Sequence, residues 1–166
     1  MDDAMKVGFT YNIKHYRKDG LLLSEEESCN LVPLAGINYM LNSAFQGASP
    51  SSLWYIGLYS GNYTPQISDD LPTLVGTAIE YVDYSQSTRQ LFNAANATTG
   101  TLTNVANLAR INATVATTLY GGFICNNATK GNTSGLAISA VRFSSAKPLD
   151  VGDYVDIQAA ISLANI

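Results

Sequence analysis

Charged side chains are scarce in this sequence: 13% of its 166 residues are Asp, Glu, Lys or Arg, against about a quarter in an ordinary globular chain. The nine basic residues are outnumbered by thirteen acidic ones, for a net charge of −4. That balance offers no basic face for a nucleic acid. There is one histidine, His15, set among Lys14, Tyr16, Arg17 and Lys18, where it reads as a solvated turn residue rather than a catalytic base. Two cysteines, Cys29 and Cys125, are too few for a disulfide framework and, with His15, give no zinc-ligand spacing. Cys125 lies in an apolar run and is expected to be a buried free thiol. No apolar run approaches the length of a membrane span, and no export signal is apparent. The glycan-acceptor triplets at Asn62, Asn96, Asn112, Asn127 and Asn132 therefore read as products of a Thr- and Asn-rich composition. Gly121-Gly122 and Lys130-Gly131 lack phosphate-loop spacing. Asp69-Asp70 is the only adjacent carboxylate pair with a proline beside it, and no second carboxylate is marked out to stand across a cleft from it.

What is present is β-rich. The stretch Thr117–Phe143 holds two apolar runs joined by an Asn/Gly/Ser link from Asn126 to Gly135. Leu119, Phe123 and Cys125 share one parity of the first run. In the second, Leu136, Ile138, Ala140 and Arg142 alternate with Ala137, Ser139, Val141 and Phe143. This pattern predicts an antiparallel strand pair at the centre of the fold. Leu53–Tyr59, apolar or aromatic on both faces, is a further central strand, and Gly57 within it marks a close approach of a ring or a crossing backbone. Ile79–Tyr84 reads as an edge strand, and short strands are expected near Leu102–Val105, Ala109–Val115 and Asp153–Leu163. Ser24 and Glu27 have the form of a helix-capping box. Pro33–Gln46 carries an amphipathic helix, with Leu34, Ile37, Leu41, Ala44 and Phe45 forming its apolar stripe.

The fold expected is mainly β: an antiparallel β-sandwich, with jelly-roll order among the options, one short amphipathic helix, and an N-terminal arm. Residues 1–20 form that arm or an edge strand, and 21–166 form a single domain. Val7, Phe9, Tyr11 and Ile13 share one face, and Lys6, Lys14, Arg17 and Lys18 add positive charge near both ends of it. The ten tyrosines invite a sugar-stacking groove built from Tyr55, Tyr59, Tyr63, Tyr81 and Tyr84. Tyrosines beside strands more often turn their rings inward.

The run LWYIGLYSGNYTPQISDDLPTL, then YVDYSQSTRQLF, then TTLYGGFICNNATKGNTSGLAISAVRFSSAKPLDVGDYVDIQAAISL resembles small structural proteins encoded by tailed bacteriophages. The elements that carry the resemblance are Trp54–Tyr59, Asn62–Pro65, Tyr120–Ile124, Lys130–Leu136, Ala140–Phe143 and Gly152-Asp153. They lie from Gly36 onward and span about two-thirds of the chain. Ala137 and Ile138 follow Leu136 without the extra small or apolar residues of that pattern.

The resemblance implies a non-enzymatic virion component without a cofactor: a head decoration, or cement, protein on the outer surface of the phage head. Its partners would be the major capsid protein and further copies of itself, as a trimer or dimer, with no nucleic acid or membrane. A tail or head-fibre attachment protein and a host-glycan-binding virion protein are the alternatives. On this reading Lys6, Val7, Phe9, Tyr11, Ile13, Lys14, Arg17 and Lys18 form a capsid-binding arm that docks by strand addition. The low-charge segment carrying Leu102, Val105, Leu108, Ile111 and Val115 forms the oligomer interface.

Overall fold

The computed structural model describes residues 5–165, with side chains from 8 to 163. Two antiparallel sheets pack face to face. The first has the order β2 (Leu22–Cys29), β1 (Met5–Tyr16), β10 (Tyr154–Asn165), and then β6 (Thr101–Thr103) and β7 (Ala109–Asn112) side by side along β10. The second has β4 (Glu80–Tyr81), β3 (Tyr55–Tyr59), β8 (Thr117–Cys125) and β9 (Ala137–Leu149), with β5 (Gln90–Leu91) also on β3. The strand pair expected within Thr117–Phe143 is β8 and β9, paired antiparallel.

The N-terminal alternation belongs to an interior strand, which corrects the expectation of an arm or an edge. β1 pairs with β10 from Met5 opposite Asn165 to Tyr16 opposite Tyr154, and β2 flanks its other side from Thr10 to Tyr16. Phe9, Tyr11 and Ile13 are buried in the main core with Val155, Ile157 and Ala159. The capping-box reading is likewise overturned, because Ser24 and Glu27 lie in β2. In β2 Ser24, Glu26 and Ser28 are the less exposed parity, so the inward face is polar.

The second sheet is covered on both faces. Ile56, Leu58, Ile124 and Val141 face the first sheet, while Tyr59, Phe123, Cys125 and Ala140 pack with Leu71, Leu74 and Ala78 in a separate outer core. The last three come from a segment containing the short helix α2 (Leu71–Gly76). Two cross-strand pairs make this outer face fit. Gly57 stands opposite Phe123, and Tyr59 stands opposite Gly121. Each glycine leaves its opposite ring the space a Cβ would occupy, and at Gly121 the Val141 carbonyl also closes in. Beside Phe123, Arg89 and Glu80 form a fully buried ion pair. The Arg89 guanidinium also donates to the carbonyls of Asn127 and Asn132, and the Gly131 N–H donates to Glu80. The 126–132 loop is thereby fastened to the outer core.

Both seams between the sheets are closed. Leu31 and Ala140 exchange backbone hydrogen bonds of 2.8 and 3.0 Å on one side, and Tyr84 bridges Ala113 on the other. Below the first bridge, Glu26 of β2 accepts from the N–H groups of Ser144 and Ser145 on β9, and Lys147 donates to it at 2.6 Å. β6 and β7 are one interrupted strand. At the interruption the buried Asn104 amide accepts from Ala159 N–H and donates to the Ile157 carbonyl, replacing the missing rung. Residues 105–108 are pushed outward.

The expected helix is α1 (Leu34–Phe45), but its expected face is wrong. Gly36 and Pro33 are its buried positions, and a Cβ on Gly36 would lie 2.9 Å from the Ile138 Cα. The helix backbone therefore seats on β9 through glycine, with Ile37 and Tyr39 half-buried beside it. The rest of the expected stripe turns away: Leu34 and Leu41 are each 52% exposed and Phe45 is 75% exposed.

Gly121→Ala tests the ring-over-glycine pairing. It is expected to lower stability in urea unfolding by about 1–3 kcal/mol, as overpacking does; an unchanged midpoint would show that Tyr59 repacks freely.

Candidate interaction surfaces

The residues expected to form a docking arm are dispersed by the fold. Phe9, Tyr11 and Ile13 are core and present no face to a partner. Lys14 stands directly opposite Glu25, 3.5 Å away. Arg17 forks onto Asp19, which lies well below the ordinary carboxylate range, at about 2, because of that hydrogen bond. The Lys18 N–H donates to Asp153. The side chains of Lys6 and Val7 lie outside the described residues.

Of the five residues expected at an oligomer interface, Ile111 is fully buried in the main core, a correction that follows from its inward parity opposite Val155. Val105 and Leu108 sit on the outward loop held by Asn104, and they and Val115 are exposed. Leu102 is partly buried, opposite Ile161, and lines a cavity between the sheets. The structure thus brings no single patch out of the five.

The tyrosine groove is not formed by these side chains. Tyr59, Tyr81 and Tyr84 are buried, and the Tyr63 hydroxyl donates to Asp69 at 2.7 Å. Asp69 also accepts from Gln66 N–H, and Asp70 caps α2 by accepting from the Thr73 N–H and hydroxyl. Those hydrogen bonds from Thr73 lower the Asp70 pKa. The adjacent carboxylates thus serve the loop and helix that cover the outer core. His15 is not a solvated turn residue: it is buried, its Nε2 3.5 Å from Asp153. Among the described residues no group of three His, Cys, Asp or Glu is arranged to hold a metal. Cys29 and Cys125 are free thiols, the latter buried.

The cavity at one end of the sandwich was not foreseen. It measures about 310 Å³ and is lined by Trp54, Phe92, Leu102, Ile138 and Ile161, with Leu53 and Leu91 also in its wall. Its residues come from five separate elements, which β6–β10 pairing, β3–β5 pairing and the Phe92 N–H to Trp54 carbonyl bond help bring together. No periodicity within one segment signals it. The edge-to-face contact of Tyr39 with Trp54, ring centroids 5.4 Å apart, sets α1 beside it.

The ion pair under the Leu31–Ala140 seam gives a pH signature. Burial alone would raise the Glu26 pKa, but hydrogen bonds from Lys147, Ser145 and Ser144 outweigh it and carry the pKa from its ordinary 4.5 to about 2. The folded state therefore binds fewer protons than the unfolded chain between those values. The stabilisation is present above about pH 4.5 and is lost as pH falls towards 2. The melting-temperature gap between the native chain and Glu26→Gln should accordingly be constant above pH 4.5 and close below it; a gap independent of pH would refute the assignment.

Neither family models nor curated proteins give a match to this chain.

Proposed function

We propose that this chain is a structural component of a tailed-bacteriophage virion. In this role it decorates the outside of the major capsid shell, stabilises the joints between capsomers, and acts as a non-catalytic, cofactor-free homo-oligomer. The reading begins from the sequence resemblance. The observation that carries it in the fold is the division of labour among side chains. Glu80, Arg89, Lys147, Asp153 and Asp156 are drawn into buried or nearly buried contacts, while large apolar residues such as Phe45, Leu41 and Leu53 remain exposed. A surface poor in charge and rich in exposed apolar side chains suits binding to proteins over area, since little polar desolvation opposes contact.

The mode of attachment differs from the arm first expected. β1 buries in the core the apolar face that an arm would offer and is flanked by β2 from Thr10 to Tyr16. The seams beside β2 and β9 are already bridged by backbone or by Glu26. Docking on the capsid therefore proceeds through side-chain surfaces of the sandwich and α1 rather than by adding a strand. At about 25 cal/mol per Å² of apolar surface, modest contacts repeated over a lattice accumulate into resistance to internal pressure.

Co-sedimentation of the purified chain with empty, expanded phage heads tests this. Saturable binding at a fixed ratio to the major capsid protein, with a raised temperature of head disruption, is the expected result. Heads that stay bare, or labelling confined to tails, would overturn the decoration reading.

A further inference from the structure

Charge is absent from long, specific parts of the sequence. No Asp, Glu, Lys or Arg occurs from Ser28 to Ser68, from Leu91 to Ala109, or from Ile157 to Ile166. The fold assembles these three stretches around the end cavity. α1 rests on Ile138 through Gly36 and meets Trp54 through Tyr39. Trp54 receives the Phe92 N–H at 2.8 Å, and Leu102 faces Ile161 across the β6–β10 ladder. Lys6 stands opposite Ala164 at the same end of β1, and its side chain lies outside the described residues. The opposite end of β1 holds Lys14, Arg17 and Lys18, near Asp19, Glu25 and Asp153.

We propose that this charge-poor end is the contact between two copies of this chain, with Leu41 and Phe45 of each copy lying against the cavity rim, Leu53 and Leu91, of the other. The inference deepens the homo-oligomer part of the proposed function. Three observations select a second copy as the occupant. First, each copy carries a net charge of −4, and a contact made through the three charge-free stretches keeps most of the like charges of two copies apart. Second, the same end holds both an apolar projection, α1, and an apolar hollow. A two-fold contact requires such a self-complementary patch. Third, Leu34, Leu41, Phe45, Leu53, Leu91 and Leu163 retain between 39% and 75% of their surface. Together they present on the order of 500 Å² of apolar side chain, near the upper range for a monomer and a large part of the ~800 Å² per partner in a stable interface.

Sedimentation velocity on the full chain, from micromolar to sub-millimolar concentration, reads the association directly. The native chain is expected to dimerise. Phe45→Asp and Leu41→Asp should each weaken the dimer by at least about tenfold while leaving circular dichroism and melting temperature unchanged. Leu21→Asp, an exposed leucine beside Asp19 on the charged hairpin, should leave the dimer as it is. A native chain monomeric throughout, a dimer insensitive to Phe45→Asp, or equal weakening by Leu21→Asp would overturn the inference. So would a monomer that floats with neutral phosphatidylcholine vesicles and loses that binding on Phe45→Asp, since a lipid would then be the occupant. Head binding is scored separately. Dimerisation without head binding removes the capsid reading alone, and head binding by a native monomer removes the dimer alone.

Discussion

The pairing of the first strand with the last is the constraint on which the fold depends. β1 and β10 are matched over their full lengths, with Phe9, Tyr11 and Ile13 opposite Ile161, Ala159 and Ile157. That register makes the main core continuous from one end of the first sheet to the other. Closing nearly the whole chain into one loop carries a large but slowly growing entropy cost, about (3/2)RT ln n. A topology dominated by such distant contacts folds slowly. β2 joins the other side of β1 through a short hairpin, and β6 and β7 pair along the free side of β10. A one-residue slip would send the whole inward set of β1 to solvent, so the register is strongly specified.

Closure of the seams follows from this arrangement and limits what the molecule can do. A sandwich of two open sheets would leave β2 and β9 as unpaired edges, the usual templates for strand addition. Here the chain leaving β2 crosses to pair at Ala140, and the carboxylate of Glu26 takes the next N–H groups along β9. Residues 84–86 similarly cover β7, with Ser85 N–H bonded to the Asn112 carbonyl and the Gln86 amide to that of Arg110. Side chains finish what the backbone ladders begin along these edges.

Strands marked by apolar or aromatic alternation were legible in the sequence. β3, β8, β9 and β10 fall where period-two patterns place them, and the expected close approach at Gly57 is made by the Phe123 ring. β2 escaped because its inward residues are the polar Ser24, Glu26 and Ser28, of which Glu26 and Ser28 meet partners more than a hundred residues away. The face of α1 was inverted because hydrophobicity was the only guide to orientation. A glycine allowing backbone contact outweighed a leucine stripe, a choice that depends on Ile138 and cannot appear within the helix itself. The role of β1 was half visible. Its alternation announced a strand, but whether its partner is the chain's own β10 or a neighbour's edge is decided only by long-range register. The cavity is wholly tertiary, and the residues expected at an interface share low charge rather than a common location.

The distribution of the few charges links interior to surface. A chain with so little charge would be expected to keep it outside, where solvation is cheapest. Instead Arg89 and Glu80 lie in the outer core, Lys147 is buried against Glu26, and the nearly buried Asp156 is forked by Arg110. Two of the pairs fasten what the strands alone leave loose, the 126–132 loop and the β2–β9 seam, while Arg110 and Asp156 reinforce the β7–β10 ladder where they stand opposite. Buried ion pairs are weak sources of net stability compared with apolar replacements, so their contribution here lies in fixing which segments meet. Their placement also removes charge from the surface, leaving the end around α1 and the cavity rim with apolar, hydroxyl and amide groups. Such a surface sheds water at low cost.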